Sequence, residues 1–373
     1  MGKLAVSKFF YSIIVSITLL IAMVTCAGAF SSYYHPAYHP VMAVIGLILP
    51  GLLILNLWLA LYWGFRKKYW IWLPVIAVLV NLNYLSSVIQ YNKDHNSGGY
   101  ALKVATFNVR VFNRETTGYT AKEIARYMNE ENVDIISLQE FGWNTQFTKD
   151  SIYNAFRAYP YKTVPVEDGK TRIAIFSKYP IRSSYFIPFR DSENCGMWAD
   201  VLINDTVIRV YNVHMQTTNL NSSRSKLAKS QRFDDINGEE RALSYMKESL
   251  LDNFGKRAEQ ACLIRNLIDK SPYPVIVCGD FNDTPASFTY RKLKGSLKDS
   301  FIACGNGYGY TYRGMWRMFR IDYIFYSQHM RGTDYYSPQF KWSDHTVITD
   351  WSLTINIEYM MEVIPYFYVM VFM

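Results

Sequence analysis

The chain has 373 residues, half of them hydrophobic, and a formal net charge of +8. The first 100 residues carry six Lys and Arg against a single acid, Asp94, whereas the other 273 carry 33 basic and 30 acidic groups. This near balance argues against a domain that binds duplex nucleic acid mainly through a basic surface. The five cysteines lack CxxC spacing, which argues against a structural zinc site; a disulfide among Cys195, Cys262 and Cys304 stays open.

Three uncharged apolar runs begin the chain, at residues 9–30, 41–64 and 69–90. Each has the ~20 residues that a helix needs to cross the ~30 Å hydrocarbon core of a bilayer. We therefore predict a membrane module over residues 1–90 with three transmembrane helices. Asn81 and Asn83 in the third run are predicted to contact a neighbouring helix.

The basic residues around these runs predict their orientation. Lys3 and Lys8 precede the first run and Arg66-Lys67-Lys68 separates the second from the third, so the positive-inside rule places both groups in the cytoplasm. The chain after the third run is then outside the inner membrane, in the periplasm or its equivalent. Alternatively, the first run is a signal peptide cleaved after Ala27-Gly28-Ala29. The rest of the chain still lies outside in that case.

The remaining chain is predicted to be a short linker, one domain and a tail. Residues 91–100 are polar with Gly and Ser, which is typical of a linker. From 101 to 354, short apolar strands alternate with helical patterns, which predicts an α/β (α+β) domain. The tail, 355–373, ends in eleven apolar residues, too few to span a bilayer. An interfacial segment, a segment packed on the domain and an appendage of no function are the three alternatives for this tail.

Within the domain, three local patterns are informative. Asn204-Asp205 between two apolar strands predicts a tight hairpin turn. Thr120 and Glu123 predict a capping box at the start of a helix. Residues 239–268 have a helical pattern inside a 65-residue insertion, and a basic cluster at 221–233 precedes them. That cluster would contact an anionic surface or lie in a solvated loop.

Polar side chains recur where the predicted buried strands end. Because a sheet can hold such side chains rigidly, we expect them to meet in one site. Carboxylates and amides suit a hard cation such as Mg²⁺, a carboxylate can activate water, and Asn or His can bind phosphoryl oxygens. The pattern thus predicts hydrolysis of a phosphate ester. Its members are Asn108, Glu140, His214, Asp280, Asn282, Asp322, Asp344 and His345.

The ordered motifs TFNVR, LQE, NVHMQ, GDFND, RIDYIF and SDH, within residues 102–353, resemble those of the endonuclease/exonuclease/phosphatase superfamily. That group includes pancreatic deoxyribonuclease, abasic-site endonucleases, bacterial sphingomyelinases and inositol polyphosphate 5-phosphatases. The resemblance implies a four-layer α/β sandwich of the DNase I-like type and one or two Mg²⁺ or Mn²⁺ ions. It also implies metal ligation by Glu140, Asn108 and Asp344, a water-activating base in Asp280, a transition-state donor in Asn282, a phosphoryl contact from His214, and an Asp322 that orients His345.

Two arginines depart from the pattern of the superfamily. Arg110 stands two residues after Asn108, where the abasic-site endonucleases have an acid, which argues against that branch and against a second metal there. Arg172 stands where many members place glycine. We expect both guanidinium groups to bind substrate, and solvent exposure is the alternative for Arg172.

The expected activity is a divalent-metal-dependent hydrolysis of phosphate esters, of the phosphodiesterase or endonuclease type, outside the cytoplasmic membrane. A lipid or small-molecule phosphoesterase, similar to sphingomyelinases or inositol phosphatases, is the alternative. A catalytically dead, membrane-tethered binding module is a more distant one, because Glu140, Asp280 and His345 are all present. The partners are the substrate and the membrane, and no obligate protein partner is inferred.

Overall fold

The structure is a computed structural model that describes residues 2–92, 101–165, 172–218, 236–340 and 343–355. The chain divides into two compact units. The first unit comprises Met1–Val88, Thr218–Ala261 and Asp283–Leu293, and the second comprises Ile89–Thr217, Cys262–Asn282 and Lys294–Met373. The first unit therefore joins the apolar N-terminal helices to two segments from far along the chain.

The first unit contains two helices that are long and apolar enough to cross a membrane. These are α1 (Gly2–Gly28) and α2 (Pro40–Phe65), and α2 continues through Pro50 as one helix. The third predicted helix is not continuous, because it is divided into α3 (Trp72–Val80) and α4 (Leu82–Val88), bent by 56°. Among the described residues there are thus two candidate spans, or three if the bent pair counts as one, so the structure supports two of the three predicted transmembrane helices.

The break between α3 and α4 has a polar cause at Asn81. The buried Asn81 amide donates to the carbonyl of Ala77, 2.9 Å away, and to that of Thr25 in α1, also at 2.9 Å. Its backbone N–H bonds instead to Val78, one residue closer than an α-helix requires. A side chain that occupies the carbonyl four residues earlier competes with the helical ladder. Asn81 thus bonds a neighbouring helix as predicted, whereas Asn83 is exposed.

The second unit contains two mixed β-sheets. The strands are β1 (Ile89–Tyr91), β2 (Ala101–Asn108), β3 (Ile135–Phe141), β4 (Tyr161–Thr163), β5 (Arg172–Ser177), β6 (Ile181–Pro188), β7 (Cys195–Ile203), β8 (Thr206–His214), β9 (Val275–Asp280), β10 (Lys298–Asp299), β11 (Asn306–Tyr308), β12 (Asp322–Tyr326), β13 (Met330–Arg331), β14 (Tyr335–Tyr336) and β15 (Ile348–Ile355). The first sheet has the order β13-β15-β2-β3-β5-β4, with β14 beside β15, and the second has the order β10-β12-β9-β8-β7-β6; β1 pairs with β11 apart from both. Each sheet has one central parallel pair, β2 with β3 and β8 with β9, and its other pairs are antiparallel.

The two sheets pack face to face and helices cover their outer faces. Aliphatic side chains of both sheets, such as Val104 and Ile276, form the buried core between them. The outer face of the first sheet packs on α5 (Tyr119–Glu130) and α6 (Lys149–Ala155). On the second sheet, the Tyr211 hydroxyl donates to the carbonyl of Leu267, in the last part of α7 (Ile236–Asp269). The layers are therefore helix, sheet, sheet and helix, an α/β fold of the DNase I-like type. Two further short helices are α8 (Phe288–Lys294) and α9 (Ser300–Cys304).

Several local predictions have clear outcomes. Asn204 and Asp205 have φ values of 44° and 66° and join β7 to β8, which confirms the hairpin turn. The capping box is wrong, because α5 begins after Gly118 and the carboxylate of Glu115 accepts the Thr120 N–H at 3.1 Å. No disulfide joins any of the five cysteines, all of which lie in the described ranges. Residues 93–100 of the linker, the basic cluster at 221–233 and the tail beyond 355 lie outside the described residues.

Candidate active site

The carboxyl ends of the two central parallel pairs meet at one edge of the sandwich. Asn108 ends β2, Glu140 lies one residue before the end of β3, and His214 and Asp280 end β8 and β9. The Asn108 amide donates to Glu140 Oε1 at 3.1 Å and to Asp280 Oδ2 at 3.0 Å. A single side chain therefore joins a carboxylate of the first sheet to a carboxylate of the second.

Glu140 reaches this position through an irregular backbone. The pairing of β3 with β5 shifts register between Leu138 and Phe141, and Glu140 within this bulge has a φ of 47°. A left-handed conformation costs a non-glycine residue of order 1 kcal/mol, and such strain is typical of functional sites. The bulge directs the carboxylate to the sheet edge, where the side chain remains 27% exposed.

His214 lies between the two carboxylates. Its Nε2 is 4.0 Å from Glu140 Oε1 and 3.8 Å from Asp280 Oδ2. The side chain is 2% exposed, yet neither ring nitrogen has a hydrogen-bond partner within the described parts of the chain. Because an unpaired buried polar group is costly, we expect this imidazole to contact a ligand at the site.

A hydrogen-bonded pair of His345 and Asp322 lies on the other side of Asp280. His345 Nδ1 is 3.0 and 3.1 Å from the two carboxylate oxygens of Asp322, and His345 Nε2 is 3.7 Å from Asp280 Oδ2. Burial alone would lower the pKa of His345, but the charges of Asp322 and Asp280 outweigh it and raise this pKa to about 10. At neutral pH the ring is therefore a cation.

The pKa of the Asp280 carboxylate is raised, which makes this group a stronger base than an ordinary aspartate. Burial, and then the charge of Asp322, raise its pKa to about 6, although His345, His214 and Asn108 offset part of the rise. The carboxylate is thus ionised at neutral pH and binds a proton more readily than an ordinary aspartate. The N–H of Asn282 donates to Asp280 Oδ1 at 2.8 Å, and the Asn282 amide donates to the carbonyl of Met215 at 3.0 Å.

Two sets of donors could hold a metal ion. Asp280, Asp322 and His345 have ligand atoms within 4.8 Å of one another. The His345 ring, however, already bonds both oxygens of Asp322 and carries a proton, and an imidazolium is not a ligand. The partly exposed carboxylate of Glu140, opposite that of Asp280, is better suited, because oxygen donors are the preferred ligands of Mg²⁺.

The other predicted site residues differ in their contacts with the groups around Asp280; they are Asn108, Asp344, Arg110 and Arg172. Asn108 Oδ1 accepts the Arg110 N–H at 3.1 Å, which turns the amide nitrogen toward the carboxylates. The Arg110 side chain is exposed and the Asp344 side chain is half-buried. The Asp344 carboxylate makes no hydrogen bond with the residues that the structure describes, although its charge acts on His345. The backbone of Arg172 pairs with that of Phe141, but its side chain lies outside the described structure.

Other residues of the same motifs support the site and were not predicted from sequence. The Ser343 hydroxyl donates to the carbonyl of Asn108 at 2.7 Å and accepts the His345 N–H at 3.1 Å. Beneath the site, the Gln139 amide donates to Asn212 Oδ1 at 2.7 Å, and the Asn212 amide donates to carbonyls of β3 and β5. Their presence in SDH, LQE and NVHMQ was the available signal.

Comparison with known proteins gives two family matches. The model of the Endonuclease/Exonuclease/phosphatase family matches residues 105–345, and that of a domain of unknown function matches residues 9–88. No curated protein matches the chain.

Solved structures with a similar fold include a family protein from Bacteroides thetaiotaomicron, at 18% identity and a TM-score of 0.48, which covers 70% of this chain and 100% of its own. A family protein from Leptotrichia buccalis has 16% identity and a TM-score of 0.47, with 68% and 99% covered. D. rerio TDP2, humanized by 14 mutations, also has 16% identity and a TM-score of 0.47, with 66% and 96% covered. These likenesses are too weak to carry an argument beyond the family match. Because its model covers more than half of the sequence, the chain belongs to the endonuclease/exonuclease/phosphatase family and is a hydrolase of phosphoric esters.

Proposed function

We propose that the chain is a divalent-metal-dependent phosphodiesterase of the endonuclease-like type, with its active site outside the cytoplasmic membrane. The observation that carries this proposal is the hydrogen bonding of Asn108 to both Glu140 and Asp280. It brings an accessible carboxylate and a buried one together beside an imidazole that has no hydrogen-bond partner among the described residues. These are the groups that hydrolysis of a phosphate ester needs.

The roles follow from burial and charge. Asp280 takes the proton of the attacking water, since its raised pKa of about 6 makes it a better base than an exposed aspartate. His345, kept cationic by Asp322, stabilises the negative charge that develops on the phosphoryl group. His214 and Asn282 donate further hydrogen bonds to its oxygens.

Glu140 would hold the metal, with Asn108 and Asp344 beside it. Arg110, whose side chain is exposed, would guide the substrate together with Arg172. When bound, a Mg²⁺ or Mn²⁺ ion supplies positive charge that the phosphoryl oxygens need in the transition state. One or two ions bind, and metal titration distinguishes the two cases. The buried His345 pair is proposed to remain free of metal for the reason given above.

The packing of the first unit supports the proposed topology. Tyr84 and Val88 of α4 share a buried cluster with Leu49 and Leu53 of α2. Leu49 lies in the half of α2 nearer Pro40, away from the basic residues 66–68. The bent pair α3–α4 therefore runs back along α2, away from residues 66–68, at least as far as the middle of that helix. A return of this kind is what a third crossing requires, and with residues 66–68 in the cytoplasm it leaves the following chain outside.

An exposed loop favours a second candidate function, hydrolysis of a lipid phosphoester. Trp316 is 87% exposed, and Met315, Trp316 and Arg317 all have φ values between 48° and 58°. The same loop reaches the site, because the Tyr312 and His345 rings lie 5.3 Å apart and the Arg313 N–H donates to the Asp344 carbonyl. Tryptophan and arginine are typical of lipid interfaces. This rim would suit an amphiphilic substrate.

The activity is tested with the full chain in detergent, using bis(p-nitrophenyl) phosphate, DNA and phospholipid as substrates. We expect turnover of at least one of them with Mg²⁺ or Mn²⁺, and loss of turnover with EDTA. Turnover that is unaffected by EDTA would contradict the metal proposal. Hydrolysis of phospholipid without DNA, together with a selective loss of lipid turnover in Trp316→Ala, would favour the second candidate function.

The topology is tested with reporter fusions after Gln90. Alkaline phosphatase, which is active outside the cytoplasm, should be active there, and a reporter that works only in the cytoplasm should be inactive. The reverse pattern would overturn the proposed orientation. A fusion after Lys67 is the matched control, because the proposal places that residue in the cytoplasm.

A further inference from the structure

The segment that follows the candidate catalytic strand is part of the first unit. This segment, Asp283–Leu293, begins at the peptide bond after Asn282 and is grouped with the apolar helices. The Ser31 hydroxyl, in the connection between α1 and α2, lies 2.7 Å from the carbonyl oxygens of both Gly28 and Ala286 and shares its proton between them. Ala286 also joins the buried cluster that contains Leu49 and Val88. The contact is therefore buried and includes a specific hydrogen bond.

A glycine in α2 allows this close approach. A Cβ atom on Gly46 would lie 2.9 Å from Ser31 Oγ and 3.1 Å from the Ala286 carbonyl oxygen. A Cβ on Gly51, five residues later in the same helix, would have nothing within 4 Å. Because small residues let a backbone approach a helix closely, Gly46 is suited to receive the segment.

Three further contacts hold the segment along its length. Arg291 lies over the Tyr33 ring at 3.8 Å, and the Phe288 and His35 rings are 4.8 Å apart. At its first residue, the buried Arg257 of α7 donates to Asp283 Oδ2 at 3.3 Å, and also to the Thr218 hydroxyl at 2.6 Å. The segment is thus held at its beginning, middle and end.

We propose that the membrane module is more than an anchor: through the segment Asp283–Leu293 it positions the candidate catalytic residues Asn282 and Asp280. The proposal rests on the proposed function, in which Asp280 and Asn282 are catalytic. Asn282 is bonded to Asp283, and Ala286 is four residues away, a span of at most ~14 Å. A shift of the segment is therefore transmitted to Asn282, whose N–H binds Asp280. Ser31 and Gly46 are positioning residues.

This arrangement distinguishes positioning from simple attachment. A tether needs no defined contact after the linker, whereas here a buried hydroxyl, a glycine and two aromatic rings of the membrane module receive one segment. Groups that act in the transition state are sensitive to small displacements, and a shift of about 1 Å can cost on the order of 100-fold in rate. Substrate binding need not change in parallel.

The test compares Gly46→Val with Gly51→Val in the full chain, assayed with bis(p-nitrophenyl) phosphate. We expect Gly46→Val to lower kcat by about 10-fold or more with KM within about twofold of wild type, and Gly51→Val to change neither. Amide hydrogen exchange should accelerate over residues 284–292 in Gly46→Val alone. A correctly folded Gly46→Val variant with the kcat of Gly51→Val would overturn the proposal.

A milder variant guards against misfolding. Ser31→Ala removes the hydroxyl that bonds Ala286 and should lower kcat by about threefold, the usual worth of one hydrogen bond. If Gly46→Val does not fold, an unchanged kcat in Ser31→Ala overturns the proposal. Asp280→Asn separates the two proposals: if that variant is inactive while both positioning variants match wild type, the positioning role fails and the proposed function stands. If Asp280→Asn is fully active, the proposed function fails.

Discussion

The two sheets of the second unit make the same topological contribution to the site but provide chemically different groups. Each ends its central parallel pair in one amide or imidazole and one carboxylate, Asn108 with Glu140 and His214 with Asp280. In the first sheet the carboxylate is 27% exposed and strained at a bulge, whereas in the second sheet it is 1% exposed and regular. Exposure suits a group that exchanges an ion with solvent, and burial suits a group that transfers a proton.

The comparison teaches that similar strand ends need not have similar functions. Burial raises the pKa of Asp280 to about 6, and the raised value is useful to a base. The accessible Glu140 can instead offer its carboxylate oxygens as metal ligands. We therefore expect substitutions in the second sheet to abolish turnover and substitutions in the first to change metal dependence.

The largest effect is expected from Asp280→Asn. Removal of the base should lower kcat by about 100-fold or more, and added Mg²⁺ should not restore it. Steady-state kinetics over a range of Mg²⁺ concentrations measures both quantities. Asp205→Asn, at an exposed turn with a positive φ that asparagine tolerates, is the control. If excess Mg²⁺ restored the kcat of Asp280→Asn, the proposed division between a base in the second sheet and a metal ligand in the first would be wrong.

Glu140→Gln should instead weaken the response to metal. Loss of the ligand charge should raise the Mg²⁺ concentration that gives half-maximal activity by roughly 10- to 100-fold, with recovery of turnover at saturation. Titration of activity with Mg²⁺ is the measurement, and the exposed Glu130→Gln is the control. An unchanged half-maximal concentration would exclude Glu140 as a ligand.

Asp322→Asn tests the cation next to Asp280. His345 has a pKa of about 10, above its ordinary 6.5, so its contribution to stability is fully present below pH 6.5 and is lost as pH rises through about 10. Without the Asp322 charge the pKa of His345 should fall. The stabilisation should then be lost at a lower pH than in the wild-type protein. NMR titration of histidine-labelled, EDTA-treated protein would follow the ring. An unchanged pKa would show that Asp322 does not hold the proton.

The smallest effect is expected from Arg110→Ala. An exposed guanidinium that contacts an anionic substrate contributes up to ~1 kcal/mol, so KM should rise by at most about fivefold while kcat is retained. The increase should diminish at high salt, because exposed charges are screened. Arg114→Ala, in the same left-handed turn, is the matched control. An equal increase in KM in both variants would show that the effect comes from the loss of one positive charge and not from a specific contact of Arg110.

Most members of the candidate site could be predicted from the sequence because each polar residue directly follows an apolar strand. Strand ends are adjacent in a parallel pair, so Asn108 and Glu140 had to lie close together. The same pattern could not reveal the bulge at Glu140, since a φ of 47° is set by tertiary packing. The pattern also could not reveal that the Ser343 hydroxyl bonds both the Asn108 carbonyl and the His345 N–H, because these bonds depend on the turn that contains Ser343.

The fold was less predictable where a single polar group outweighs an apolar pattern. Residues 69–90 are uniformly uncharged, and hydropathy alone therefore favoured one helix. Asn81 divides them, because its amide finds acceptors both in its own helix and in α1. At α5 the capping box failed for a similar reason: Glu115 supplied the acceptor from outside the helix. In both cases the deciding hydrogen-bond partner, Thr25 for Asn81 and Glu115 for Thr120, lies at a position in the chain that the local pattern does not specify.

The amide pair of Gln139 and Asn212 has a consequence for how the enzyme loses its structure. Both side chains are fully buried, and Asn212 bonds backbone carbonyls of the opposite sheet. Partial opening of the sandwich would leave these amides in an apolar interior with no acceptor, which is costly. We therefore expect the sheets to separate in one cooperative transition, so that heating yields a mixture of intact and unfolded molecules rather than a population of loosened, partly competent ones.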